Sequence, residues 1–136
     1  MAAERQRGVA CLVDSDVAID FLRRRDYARE LLEHWAAEGL LAISAMTRLE
    51  IYYGMKPGEQ EATDAFLDGL VSIPVDVAVA RRAGTLLRGL RSQGVTVGIA
   101  DAIIASTALE LGAPLLTNNV RHYPFPDLTV VRGLRD

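Results

Sequence analysis

The run Val9-Ala-Cys-Leu-Val13 is apolar without alternation and stops abruptly at Asp14-Ser15-Asp16. So short an apolar run, bounded by a polar cluster, reads as a strand buried on both faces. Such strands belong to sheets covered by helices, usually parallel ones. Ligands of open parallel sheets bind just beyond the carboxyl ends of the strands, so Asp14 stands where such a fold does its chemistry. The same residue also fits as the N-cap of the helix that follows.

Beyond Asp14 the chain alternates between helical and strand patterns. Val17 to Leu22 has helical spacing, with Ser15 or Asp16 as N-cap, and Arg23-Arg24-Arg25 supplies cations at its end as a solvated terminus. A helix is expected from Asp26 to Glu38, with Tyr27, Leu31, Leu32 and Trp35 on one face and Gly39 as its C′ glycine. Leu40 to Ile43 reads as a strand. Ser44 to about Met55 reads as a helix with Leu49, Ile51 and Tyr52 toward the core, broken at Gly54 and Lys56-Pro57-Gly58. After a helix from Glu59 to Leu70, Val71 to Val75 fits an edge strand, because Pro74 cannot donate to a ladder. Asp76 to Ser92 is an amphipathic helix, and Ile99 to Leu111 a nearly apolar one that ends at Gly112. Leu115 to Thr117 and Leu128 to Val131 supply the last strands. This alternation predicts an α/β domain with a central, mostly parallel sheet of four to five short strands flanked by helices. No internal repeat or linker divides the chain, so residues 1–136 form one domain, with 1–8 a short polar extension.

The formal net charge of −3 excludes a protein that holds nucleic acid by bulk charge alone. It does not exclude a nuclease, whose acidic metal site is offset by local basic contacts. Basic character is almost entirely Arg, with Lys56 the only lysine. The single cysteine, Cys11, cannot form an internal disulfide and reads as a small buried hydrophobe. The N-terminus lacks a signal-peptide core and no apolar run reaches membrane-spanning length, so a cytoplasmic protein is expected.

Three carboxylates sit at element boundaries: Asp14, Glu50 and Asp101. Each has a structural reading. Asp14 can cap a helix, Thr47-Arg-Leu-Glu50 matches a capping box, and Asp101 suits the positive end of its helix. If the middle helix begins at Ser44, however, Glu50 lies two turns in, among apolar neighbours where an unpaired carboxylate is costly. Acids gathered at the mouth of a parallel sheet suit a hard divalent cation such as Mg2+, which keeps several waters while a few carboxylates hold it. Such an ion activates water and neutralises charge on a phosphodiester. Thr117 and Asn119, just beyond another strand, can orient those waters or fill a ligand position; Asn118-Asn119 is also an ordinary turn signal.

Four segments together, Leu12-Val-Asp14-Ser-Asp-Val-Ala-Ile-Asp20, Ser44-Ala-Met-Thr47-Arg-Leu-Glu50-Ile-Tyr-Tyr-Gly54, Asp101-Ala-Ile-Ile-Ala-Ser-Thr107-Ala and Leu116-Thr117-Asn-Asn119-Val-Arg121-His-Tyr123, resemble the PIN-domain family, and within it the VapC-type toxins of bacterial toxin–antitoxin pairs. The resemblance runs from Val9 to about Val131. It implies a parallel-sheet domain that cleaves RNA with Mg2+ or Mn2+, a cognate antitoxin over the acidic cleft, and homodimers that assemble further with that antitoxin. It also implies that Asp14, Glu50 and Asp101 take the main metal-site positions, with Asp14 and Asp101 as direct ligands. Asn119 takes the position of a fourth acid, Thr117 the hydroxyl position, and Ser15 that of the small residue after the first acid. Two departures stand out: Asn119 carries no charge, and Tyr123 replaces the Phe that usually ends the last motif. Arg48 and Arg121 are candidates for steering phosphates, and His122 is read as structural or RNA-facing. A silent PIN-like module that binds RNA or a partner without cleaving is the competing reading. A receiver-type phosphoacceptor would need a lysine late in the chain, where none stands.

Overall fold

Val9–Val13 (β1) is the middle strand of a five-stranded, all-parallel sheet in the computed structural model, which describes residues 8–133. Leu40–Ser44 (β2) and Val71–Ile73 (β3) extend the sheet to one side. Leu115–Leu116 (β4) and Val130–Val131 (β5) extend it to the other, giving the order β3-β2-β1-β4-β5. The chain therefore builds outward from β1, crosses back, and resumes on β1's other flank. That reversal is the topological switch point at which open α/β sheets bind ligands. Val13 pairs with Leu116, so Asp14 and Thr117 leave the sheet side by side.

Among the described residues six helices cover the two faces: Ser15–Leu22 (α1), Asp26–Ala36 (α2), Ala45–Gly54 (α3), Gln60–Asp68 (α4), Val77–Ser92 (α5) and Ile99–Leu111 (α6). A single 3-10 turn spans Val120–His122. Successive β1 side chains point to opposite layers, which is why the strand shows no polar alternation. Cys11 and Val13 pack with Val17, Ala28, Leu32 and Leu67 from α1, α2 and α4. Leu12 packs on the other face with Ile104, Ala105 and Ala108 of α6, and with Tyr123 and Phe125. Cys11 is fully buried, and burial pushes its thiol up to about 12. Among the described residues no helix is long and apolar enough to cross a membrane.

Several local expectations need correction. The N-cap of α1 is Asp14 itself, not Ser15 or Asp16; its carboxylate accepts from Ser15 N at 2.8 Å. The second helix ends at Ala36, and Gly39 is not a left-handed C′ residue. Gly39 is there because a Cβ would strike the Gly8 carbonyl, which accepts the Leu40 N–H and joins the starts of β1 and β2. Gly112 does close α6 in the left-handed conformation, at φ 66°. The last strand comprises only Val130 and Val131, shorter than the expected run from Leu128. On α3 only Thr47 and Ile51, one turn apart, are buried; Leu49 is 57% exposed, Tyr53 91%, and Tyr52 lies at the surface, so core packing of Leu49 and Tyr52 is not found. Trp35 is half-buried against the core. Residues 1–7 of the polar extension lie outside the described residues.

Candidate active site

The register of β1 against β4 builds the site's floor. Thr117 Oγ1 donates to Asp14 Oδ2 at 2.8 Å and accepts from Asn119 N at 3.0 Å. Asp14 is 3% exposed, and its Oδ2 takes a second hydrogen bond from the Tyr123 hydroxyl at 2.8 Å. That phenol oxygen lies 3.4 Å from Asp101 Oδ1, so it stands between two acids carried by different elements. Asp101 occupies the first turn of α6, half-buried, with His122 Nδ1 at 3.5 Å from its Oδ2. Glu50 lies in the second turn of α3, whose N-cap is Ser44 bonded to Met46 N. Glu50 is thus too deep in its helix for the capping box. It is close enough to Asp14 and Asp101 to feel their charge, with the Ser15 side chain near enough to offset part of it, and its Oε1 is buried without a hydrogen-bond partner.

Electrostatics mark these acids as a group. Burial raises the carboxyls of Asp14, Glu50 and Asp101 above the ordinary range. Repulsion by Asp14 and Asp101 adds to the rise at Glu50. Hydrogen bonds from Thr117 and Tyr123 oppose it at Asp14, while His122 and then Tyr123 oppose it at Asp101. Perturbed acids gathered in this way mark a candidate functional site.

The predicted residues do not all converge. Asp14, Ser15, Glu50, Asp101 and Thr117 come together, whereas the Asn119 side chain is exposed and makes no hydrogen bond to the acids. Arg48 is occupied elsewhere: its guanidinium pairs with Asp68 at 3.2 Å and reaches the Tyr52 hydroxyl at 3.4 Å. Arg121 is exposed within the turn between Asn119 and His122. Among the described residues no three or more His, Cys, Asp or Glu side chains lie close enough together to hold a metal ion as they stand.

Two contributors escaped the sequence reading. Asp16, taken there only as a possible cap, accepts from Asn118 N at 2.8 Å and so ties the turn after β4 to α1. Its carboxyl is raised by burial and by Asp14. The Asp14-x-Asp16 spacing directly after a buried strand was the available signal. Tyr123, read as a conservative replacement for Phe, turns out to donate to the central acid; nothing in its sequence position foretold the partner. A further network buttresses the same turn: Asn118 Nδ2 donates to Tyr27 Oη at 2.8 Å, and the Tyr27 hydroxyl donates to the buried Asp20, which also pairs with Arg25 Nε at 3.3 Å.

The chain is similar to known proteins over most of its length. The profile of the PIN domain matches residues 11–128. Ribonuclease VapC19 of Mycobacterium tuberculosis is 39% identical over 119 residues, covering 86% of this chain and 95% of the relative. Ribonuclease VapC10 of the same organism is 37% identical over 113 residues, covering 83% and 85%. Among solved structures, the VapBC2 complex of Rickettsia felis bound to a DNA fragment from their promoter superposes with a TM-score of 0.82 at 27% identity, covering 92% of this chain and 99% of that one. Profile, relatives and fold agree with the acid-lined end of the sheet: the chain belongs to the PIN-domain family and, within it, to the VapC type.

Proposed function

We propose that this protein is a metal-dependent endoribonuclease, the toxin of a toxin–antitoxin pair, whose centre is Asp14, Glu50 and Asp101. The relatives named ribonuclease support the reaction class, and the neighbouring toxin–antitoxin complexes support an antitoxin partner. RNA as substrate, a homodimer, and its further assembly with the antitoxin are part of the same reading.

The single observation that carries the metal assignment is Glu50 Oε1, buried without a hydrogen-bond partner beside two other carboxylates that repel it. A buried acceptor left unsatisfied is costly, and a divalent cation is the partner that three neighbouring carboxylates share. The donors are all oxygens, the set that Mg2+ and Mn2+ prefer. No cage of three directly bound carboxylates is required, because Mg2+ keeps several waters and takes few protein ligands. Asp14 and Asp101 are assigned as direct ligands, with Glu50 completing the set. When bound, the ion supplies a nucleophile from water and neutralises charge on the phosphodiester. Thr117 and Ser15 fix the Asp14 carboxylate, and Asn119 is exposed beside it. Arg121, also exposed, is better placed to meet a phosphate than Arg48, which is already paired.

The reading is tested by incubating purified protein with structured RNAs in Mn2+ or Mg2+, with EDTA and with Asp14→Asn as controls. Cleavage should require the ion and Asp14. Cleavage at the wild-type rate in EDTA or in the variant contradicts the metal centre, and no cleavage of any RNA favours a silent binding module.

A further inference from the structure

Tyr123 is a buried phenol that the proposed chemistry does not use. Its ring packs in the apolar layer of Leu12, Ile104 and Phe125, and it is 4% exposed, so an ordinary Phe would fill the same space. The hydroxyl is the only atom that distinguishes the two, and it is placed among the acids: 2.8 Å from Asp14 Oδ2 and 3.4 Å from Asp101 Oδ1. Asp14 is carried by the end of β1 and Asp101 by the first turn of α6, more than eighty positions apart in the chain. One phenol proton shared between them, in a three-centre bond, sets the separation of two carboxylates that otherwise repel. Meanwhile Asn119, which takes the position of the family's fourth acid, is exposed and contributes no such contact.

We infer that Tyr123 is a positioning residue of the metal centre, whose hydroxyl clamps Asp14 to Asp101 and presets the gap that a divalent cation enters. The inference rests on the metal assignment above and deepens it. Ligating carboxylates are held by hydrogen bonds from groups that do not touch the ion, and loss of such a group lowers metal affinity by roughly 10–100-fold. A chain with Phe at this position has no donor there, so the clamp is a property of this protein's own residue.

The test is Mn2+ binding to metal-stripped protein without RNA, read by calorimetry or by the free-ion electron paramagnetic resonance signal. Four proteins are compared: the wild type, Tyr123→Phe, Phe125→Leu and Asp14→Asn. Tyr123→Phe should weaken Mn2+ binding by about tenfold or more, and melt somewhat below the wild type in EDTA because buried Asp14 loses a donor. Phe125→Leu, which loosens the same apolar layer without touching an acid, should melt lower yet bind Mn2+ as the wild type does. Equal affinity in Tyr123→Phe and the wild type overturns the clamp alone. So does a loss in Phe125→Leu as large as that in Tyr123→Phe, because the effect is then general loosening. If the wild type takes up no Mn2+ that Asp14→Asn loses, the metal assignment fails and the clamp with it.

Discussion

Asp14 fills a structural position and a chemical one at once. One oxygen accepts the Ser15 N–H at the start of α1, as a cap does, and the other accepts two hydroxyls. The two roles separate on substitution. Asn caps a helix about as well as Asp, and the Thr117 and Tyr123 hydroxyls can accept from an amide as readily as they donate to a carboxylate. Asp14→Asn should therefore change unfolding free energy by less than about 1 kcal/mol, while lowering RNA cleavage on the order of a hundredfold or more, as loss of a preorganised charge does. Denaturant unfolding beside a cleavage assay checks both halves. Thr117 behaves differently, because its hydroxyl is buried and serves Asp14 and Asn119 N together. Thr117→Val should cost about 1–3 kcal/mol of stability through those unsatisfied groups, and Thr117→Ser should recover most of it.

At the level of elements, the site depends on strand register more than on any helix. Pairing of Val13 with Leu116 aligns Asp14 with Thr117, and the opposite pairing of β1 with β2 begins where Gly39 lets the chain pass close to the Gly8 carbonyl. Gly39→Ala puts a methyl group against that backbone and should destabilise the fold by about 1–3 kcal/mol; a urea titration reads the loss directly. The strands and the acid positions were legible from the sequence because the apolar runs are short, unbroken and ended by polar residues. Helix faces were less legible. Thr47 and Ile51 are buried on α3 while Leu49 and Tyr53 lie outside, since the helix bridges two layers and presents only a narrow strip inward. Periodicity of apolar residues cannot choose between two such strips. Hydrogen-bond partners far apart in sequence, such as Tyr123 with Asp14 and Asn118 with Asp16, were not legible at all, because they follow from how β4 and its turn dock on β1.

Across the whole molecule, the raised carboxyls of Asp14, Asp16, Glu50 and Asp101 couple stability to pH. Between their ordinary range and their higher values in the fold, the native chain binds more protons than the unfolded one. Stability contributed by these groups is therefore full on the acid side and is lost as pH rises through the folded values. In EDTA the Asp14→Asn variant should lose melting temperature less steeply than the wild type as pH rises above the ordinary carboxyl range; a steeper loss would contradict the assignment of Asp14 to the repelling group. Addition of Mn2+ should restore the wild type at the neutral end, by about 2.7 kcal/mol when the ion is a hundredfold above its dissociation constant.

Asp14, Glu50 and Asp101, contributed by β1, α3 and α6, are proposed to act as one centre, and residues that act as a unit have non-additive effects on rate. The most direct measurement is the single-turnover rate of RNA cleavage in saturating Mn2+ for Asp14→Asn, Glu50→Gln, Asp101→Asn and the triple variant. One shared centre predicts that the triple variant is no slower than the slowest single variant. Rate losses that multiply across the three positions, or an Asp14→Asn protein that still cleaves at the wild-type rate, would contradict it.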